Sequence, residues 1–224
     1  MNGARIIGPG ELRANPALIG ELRAHPGEAV ERRFAPLARV ELRAKDEADD
    51  GGVPRMGGLA AVFDRRSENL GGFVEQIAPG AFSDVLEDDV RFLVNHDPNL
   101  LLARTTAGTL TVREVDEGLE YEADPAPTSY ARDLATLMER GEVSQSSFAF
   151  RVAYKGDEWD EDPDTGLLVR TITRFAALYD VSAVTYPAYP DATSGLRAAA
   201  PDADRVALRR AQEARERDLR IRGL

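Results

Sequence analysis

Between Gly58 and Thr185 the chain is a succession of short runs rich in Val, Leu, Phe, Tyr and Thr, each closed by turn residues. The runs cover 58–64, 91–95, 109–114, 119–123, 145–154, 167–175 and 179–185. Such lengths suit strands and are too short for most buried helices, so the pattern predicts β-structure. Asp116-Glu117-Gly118 and Asp162-Pro163-Asp164-Thr165-Gly166 separate runs with residues that favour tight turns. One clear helix interrupts. Pro127-Thr128-Ser129 opens it, Tyr130, Leu134, Leu137 and Met138 form its apolar face, and Gly141 ends it. A shorter helix is expected from Pro79-Gly80 through Leu86. The expected class is α+β and mainly β, a largely antiparallel barrel or sandwich with a few packed helices and extended termini.

Composition breaks divide the 224 residues into a leader at 1–52, a body at 53–197 and a tail at 198–224. In the leader, Glu-Leu-Arg-Ala recurs at 11–14, 21–24 and 41–44, while Pro16, Pro26 and Pro36 forbid a long helix. A flexible, partly helical segment follows, with Asp49-Asp50-Gly51-Gly52 as its linker. The tail reads as a charged helix with a thin apolar stripe of Leu208, Ala211 and Ala214. Residues 1–44 and 201–224 each carry seven Arg against five acids, whereas 45–200 hold 14 basic and 29 acidic side chains. An acidic centre excludes nucleic acid as the main partner, since phosphate contacts need clustered Lys and Arg. No apolar run approaches the ~18 residues of a membrane span, and the N-terminus lacks a signal-peptide core, so neither membrane nor secretion is expected. With no cysteine, disulfides, zinc–thiolate sites and cysteine nucleophiles drop out.

Two segments carry candidate chemistry. His96 follows the apolar run Phe92-Leu93-Val94, and Gln145 to Val152 place serines among alternating aromatics. With a strand period of two, Phe148, Phe150 and Val152 share one face, and Gln145, Ser147, Ala149 and Arg151 the other. Ser147 therefore lies opposite the aromatics with a small same-face neighbour, whereas Ser144 and Ser146 point with the phenylalanines. A histidine base near a serine hydroxyl is the minimal nucleophilic pair. Taken alone, each residue is equally ordinary as structure. His25, between Ala24 and Pro26, has no apolar framing. The acidic run 157–164 fails as a calcium loop, because glycine falls at loop position seven and Thr171 at twelve. It reads as a solvated hairpin tip. No metal and no cofactor is expected, and no phosphate loop or dinucleotide fingerprint occurs.

An ordered set of motifs resembles the tailed-phage (caudovirus) prohead maturation serine proteases. The motifs are Gly58-Leu-Ala-Ala-Val-Phe63, Phe73-Val-Glu-Gln-Ile-Ala-Pro-Gly-Ala-Phe82, Asn95-His96-Asp97, Leu102-Ala-Arg-Thr105, Gly108-Thr-Leu110, Ser147-Phe-Ala-Phe150 and Asp180-Val-Ser-Ala-Val-Thr-Tyr-Pro-Ala188. The resemblance implies a herpesvirus-assembly-protease-like β-barrel ringed by helices. It implies a serine endopeptidase working in the host cytoplasm, inside the assembling prohead, on the major capsid protein with its scaffolding segment and on itself. It implies His96 as general base, Ser147 as nucleophile and Asp180 as the residue orienting the imidazole, with Asp97 as the local rival. Asp180 stands where the family commonly has Glu, and Ala149 where it commonly has Gly. Homodimerisation is suggested by the related viral enzymes. Another class of reading is a non-catalytic capsid-assembly or scaffold-binding module of the same fold, and a third is a cytoplasmic hydrolase of small esters.

Overall fold

The computed structural model describes residues 52–185 continuously, together with 6–7, 15, 18–19, 22, 29–33 and 38–43. A compact unit spans Met1–Tyr189; the second unit, Pro190–Leu224, which contains the expected tail helix, lies outside the described residues. Thirteen strands are described: β1 Ile6–Ile7, β2 Val30–Arg33, β3 Arg39–Arg43, β4 Arg55–Val62, β5 Phe73–Ile77, β6 Arg91–Val94, β7 Asp97–Arg104, β8 Leu110–Val115, β9 Gly118–Ala123, β10 Gln145–Val152, β11 Asp157–Glu161, β12 Leu168–Ile172 and β13 Phe175–Val184. They pair as a six-stranded sheet (β1-β2-β10-β13-β6-β7), a four-stranded sheet (β3-β4-β9-β8) and a three-stranded sheet (β11-β12-β5). The fold is mainly β.

Helix α1, Ser129–Glu139, begins at Thr128, whose hydroxyl accepts the Ala131 N–H. It ends in a Schellman pattern. Gly141 takes φ +75°, its N–H reaches the Met138 carbonyl, and the Glu142 N–H reaches that of Leu137. The buried stripe is Ala131, Leu134, Ala135 and Met138. This corrects the expected face, because Leu137 is exposed, one helical step off the i, i+3, i+4, i+7 line. The helix expected at 79–86 is instead a chain of three-residue turns, with Ala81, Ser83, Val85 and Asp88 N–H groups each bonding back three residues. The Glu114 carboxylate takes the Gly80 and Phe82 N–H groups there, which fixes the turns in place of a helical ladder.

Strand β10 organises the core. Phe148, Phe150 and Val152 are fully buried, as period two predicts. Phe148 stacks on Phe150 at 4.8 Å, Phe150 meets Phe175 edge-on at 4.9 Å, and Phe175 stacks on Phe82 at 4.4 Å. Burying each ring contributes about 2–3 kcal/mol, and the ring geometry adds to it. Pro98 sits in β7, an edge strand, where its missing N–H costs no ladder bond.

Part of the segment expected to be a flexible leader is built into the sheets. Strand β2 pairs antiparallel with β10, and β3 with β4. Leu18 and Leu22 are buried with Leu70 and Phe73. A Cβ on Gly58 would stand 2.1 Å from the Arg39 carbonyl oxygen, so glycine is what lets β3 lie on β4. What holds β2 is charge. Glu31 accepts from Arg170 at 2.7 and 3.0 Å, and Arg33 Nε lies 2.9 Å from Glu75. Glu31 also contacts Arg33 directly. Arg170, with no exposed surface, binds Glu75 at 3.0 Å and Asp157 at 2.7 Å. That explains why the acidic stretch at 157–161 forms β11: Asp157 is drawn inward by a buried guanidinium, and only the turn beyond remains a hairpin tip.

Burial pushes the Glu31 carboxyl upward, but Arg170 and Arg33 outweigh it and hold the group below its ordinary 4.5. Above pH 4.5 this carboxylate contributes its full stabilisation. As pH falls below that, the unfolded chain takes up a proton that the folded chain resists, and the contribution fades. Thermal unfolding followed from pH 7 to pH 3 should show a drop below 4.5 that is smaller in Glu31→Gln than in the wild type. Equal drops in the two chains contradict the assignment.

Candidate active site

Asn95 and His96 form the two-residue loop joining β6 to β7, where Val94 pairs with Asp97. Both have positive φ, +52° and +58°, the backbone required by a type I′ hairpin turn. Asparagine tolerates it well; histidine less so, and the strain persists because the turn is pinned from β13. The Asn95 N–H donates to the Ala183 carbonyl at 2.9 Å, and the Asn95 side-chain oxygen accepts the Thr185 N–H at 3.0 Å. His96 is thereby held in one place, over the neighbouring strand.

Strand β13 supplies the rest through its register. Ser147 pairs with Ser182, and Ala149 with Asp180, so all four lie on one face. A bulge follows: Phe150 pairs with Leu178, leaving Tyr179 as the extra residue. Without it, Leu178 would share the face of Asp180. The bulge reverses the alternation, sending Leu178 into the core and Asp180 toward His96.

The imidazole lies between the two strands. His96 Nδ1 is 2.5 Å from Asp180 Oδ1, and His96 Nε2 is 2.6 Å from Ser147 Oγ. A carboxylate only accepts, so Nδ1 carries the proton and Nε2 is left to accept from the Ser147 hydroxyl. The Ser182 hydroxyl donates to Asp180 Oδ1 at 2.9 Å and accepts the His96 backbone N–H at 3.3 Å, tying the acid to the turn. Ser147 Oγ also stands 3.0 Å from the Arg33 carbonyl oxygen, a second acceptor for its single proton. All of these side chains are buried, and Ser147 has no exposed surface.

Of the residues singled out from sequence, the fold brings His96, Ser147 and Asp180 together. Asp97 turns away: its carboxylate accepts the Asn99 N–H and side-chain amide, both at 2.9 Å, closing its own turn. Ser146 points into the core and bonds the buried Tyr121 hydroxyl at 2.7 Å, while burial raises the Tyr121 phenol above its ordinary value. His25 falls outside the described residues. Two participants were not anticipated. Ser182 was legible as the second residue after Asp180 on the same strand face. Arg33 had no local signal, because it reaches Ser147 from 114 positions away.

The arrangement can pass a proton from a hydroxyl to an imidazole whose far nitrogen is held by a carboxylate, which is the equipment for nucleophilic attack on a carbonyl. Among the described residues no group of three His, Cys, Asp or Glu side chains is placed to hold a metal ion. The family model described as caudovirus prohead serine protease matches residues 38–204. No curated protein and no solved structure matches the chain.

The short Nδ1–Asp180 contact predicts a strongly deshielded imidazole proton in the NMR spectrum at low temperature. It should vanish in Asp180→Ala and persist in Asp97→Ala. A resonance that survives loss of Asp180 rules this pairing out.

Proposed function

The chain belongs to the caudovirus prohead serine protease family, and from that premise we propose that it is an endopeptidase with Ser147 as nucleophile, His96 as general base and Asp180 as the acid that orients the imidazole. The observation that carries this reading is the unbroken line from Ser147 Oγ through the ring to Asp180, with links of 2.6 and 2.5 Å.

In the first step Ser147 Oγ bonds to the scissile carbonyl carbon while its proton passes to His96 Nε2. Asp180 keeps the Nδ1 proton in place and offsets the positive charge that appears on the ring. The tetrahedral adduct collapses, the C–N bond breaks, and the departing amine takes the proton from Nε2. Water then attacks the acyl-enzyme, with His96 again accepting a proton, and releases a carboxylate. Ser182 restricts Asp180 to the rotamer that meets Nδ1 and acts as a positioning residue.

The substrates in this reading are the major capsid protein with its scaffolding segment and the chain's own termini, and the place of action is the interior of the assembling prohead in the host cytoplasm. An acidic body suits contact with proteins better than with packaged polyanions, and no helix among the described residues is long and apolar enough to cross a membrane. The three sheets would belong to a herpesvirus-protease-like barrel; the Val40 N–H bond to the Ser144 carbonyl, 3.2 Å, links the four-stranded sheet to the six-stranded one. A second reading, a non-catalytic assembly module, is favoured by one observation, the complete burial of Ser147.

Co-expression with the cognate capsid protein separates the two. Cleavage should fall by at least about 10⁴-fold in Ser147→Ala and His96→Ala, and on the order of 10⁴-fold in Asp180→Asn, with thermal unfolding cooperative in all three. Cleavage that survives Ser147→Ala removes the nucleophile assignment. Uncut capsid protein in proheads that mature normally favours the assembly module.

A further inference from the structure

The segment lying beside the candidate nucleophile is part of this chain. Strand β2 runs antiparallel to β10 with Arg33 opposite Phe148, Arg32 opposite Ala149 and Glu31 opposite Phe150. The Arg33 carbonyl oxygen lies 3.0 Å from Ser147 Oγ. An extended chain added antiparallel to a strand is a common way for a protein to hold a peptide, with backbone bonds giving affinity and alternate side chains giving selectivity. Here the peptide unit at the nucleophile is the one joining Arg33 to Phe34.

The alternate side chains of β2, Glu31 and Arg33, enter a buried site made by residues from other strands. Arg170 of β12 binds Glu31 in a two-pronged pair, and Glu75 of β5 binds Arg33. Asp157 of β11 and Glu75 both hold Arg170. Arg33 also lies over the Phe150 ring, 5.6 Å from its centroid. With β2 absent, this site would offer one guanidinium and two carboxylates, a donor fork for an acidic side chain beside an acceptor for a basic one. Isolating charges from water is costly, and a hydrophobic strand would have been simpler had only stability been served. The sequence adds an independent observation. A Glu-x-Arg triplet recurs at 11–13, 21–23, 31–33 and 41–43, in steps of ten, and the third copy is the one seated at Ser147.

We propose that Glu75, Asp157 and Arg170 are specificity-determining residues that select a Glu-x-Arg element in the chain to be cut, directing hydrolysis to the bond after its arginine, and that Glu31–Arg33 occupies the site as an internal copy that a substrate must displace. The proposal rests on the endopeptidase reading. It accounts for the burial of Ser147, since the copy covers it, and it assigns a task to the repeated triplet.

The probe is a synthetic peptide of residues 26–39, incubated with the full-length protein and analysed by mass spectrometry. Cleavage is expected between the positions of Arg33 and Phe34, with kcat/KM lowered about tenfold or more when the peptide carries Gln in place of either Glu31 or Arg33. The same change in the protein should act in the opposite direction. Arg33→Gln loosens the internal copy and should raise hydrolysis of the unaltered peptide about threefold or more, with Arg33→Lys intermediate and circular dichroism unchanged. A network serving structure alone would lower activity in the protein variants and leave the peptide variants equal to the parent peptide; either result overturns the proposal. A fluorophosphonate serine probe tells apart two kinds of failure. If Ser147 is labelled but peptide charge has no effect on cleavage, the specificity assignment falls and the endopeptidase reading stands. If neither the wild type nor Arg33→Gln is labelled or cleaves any peptide, both fall.

Discussion

The pairing of β10 with β13 is the contact on which the rest depends. One ladder sets two faces at once. On one face Phe148, Phe150 and Val181 close the core; on the other, Ser147 and Ala149 stand against Ser182 and Asp180. A one-residue slip would turn the serine into the aromatic core and push a phenylalanine against His96, so the packing that fixes the core also fixes the site. The bulge at Tyr179 is one of two register shifts in this ladder, and it is what allows Leu178 and Asp180 to serve opposite faces. Parallel pairing of β6 on β13 then brings the hairpin turn with His96 to the same place.

Around this ladder the molecule uses apolar and charged contacts for different ends. The phenylalanines supply non-directional burial, which tolerates small shifts. The group formed by Glu31, Arg33, Glu75, Asp157 and Arg170 is directional, and removing one member of such a buried set costs about 3–5 kcal/mol because the others are left unpaired. Directional contacts define a register for β2 that an apolar strand would leave loose. The consequence is an exact neighbour for Ser147 in the Arg33 carbonyl.

Much of the framework could be read from short patterns. The runs beginning at Arg91, Leu119 and Gln145 became strands within a residue or two of the expected bounds, and the helix ends at Thr128 and Gly141 follow from capping chemistry that is local. The failures were also local in origin. Leu137 lies off the buried face because the stripe runs through the small residues Ala131 and Ala135, which weigh little in an apolar pattern. Strand β11 is hidden in the sequence because Asp157-Glu158-Trp159-Asp160-Glu161 has the composition of a loop; its order depends on Arg170, which periodicity does not see. The Asp64 turn, with φ of +51°, carries no glycine to announce it.

By itself the sequence determined that the chain is mainly β, that Ser147 and not Ser146 lies opposite the aromatics, and that His96 and Asp180 belong to an ordered set of motifs typical of one protease family. These are properties of local alternation, turn chemistry and motif order, which survive without knowledge of what packs on what. Only the tertiary structure decided that Asp180 and not Asp97 meets the imidazole, that Ser182 ties the acid to the turn, and that the Glu31–Arg33 strand lies against Ser147. Those outcomes rest on the contacts of His96 with Asp180 and Ser182 and of Arg33 with Ser147, 84 to 114 positions apart, set by strand register, a bulge and buried charge. No window of sequence short enough to carry a pattern contains both partners.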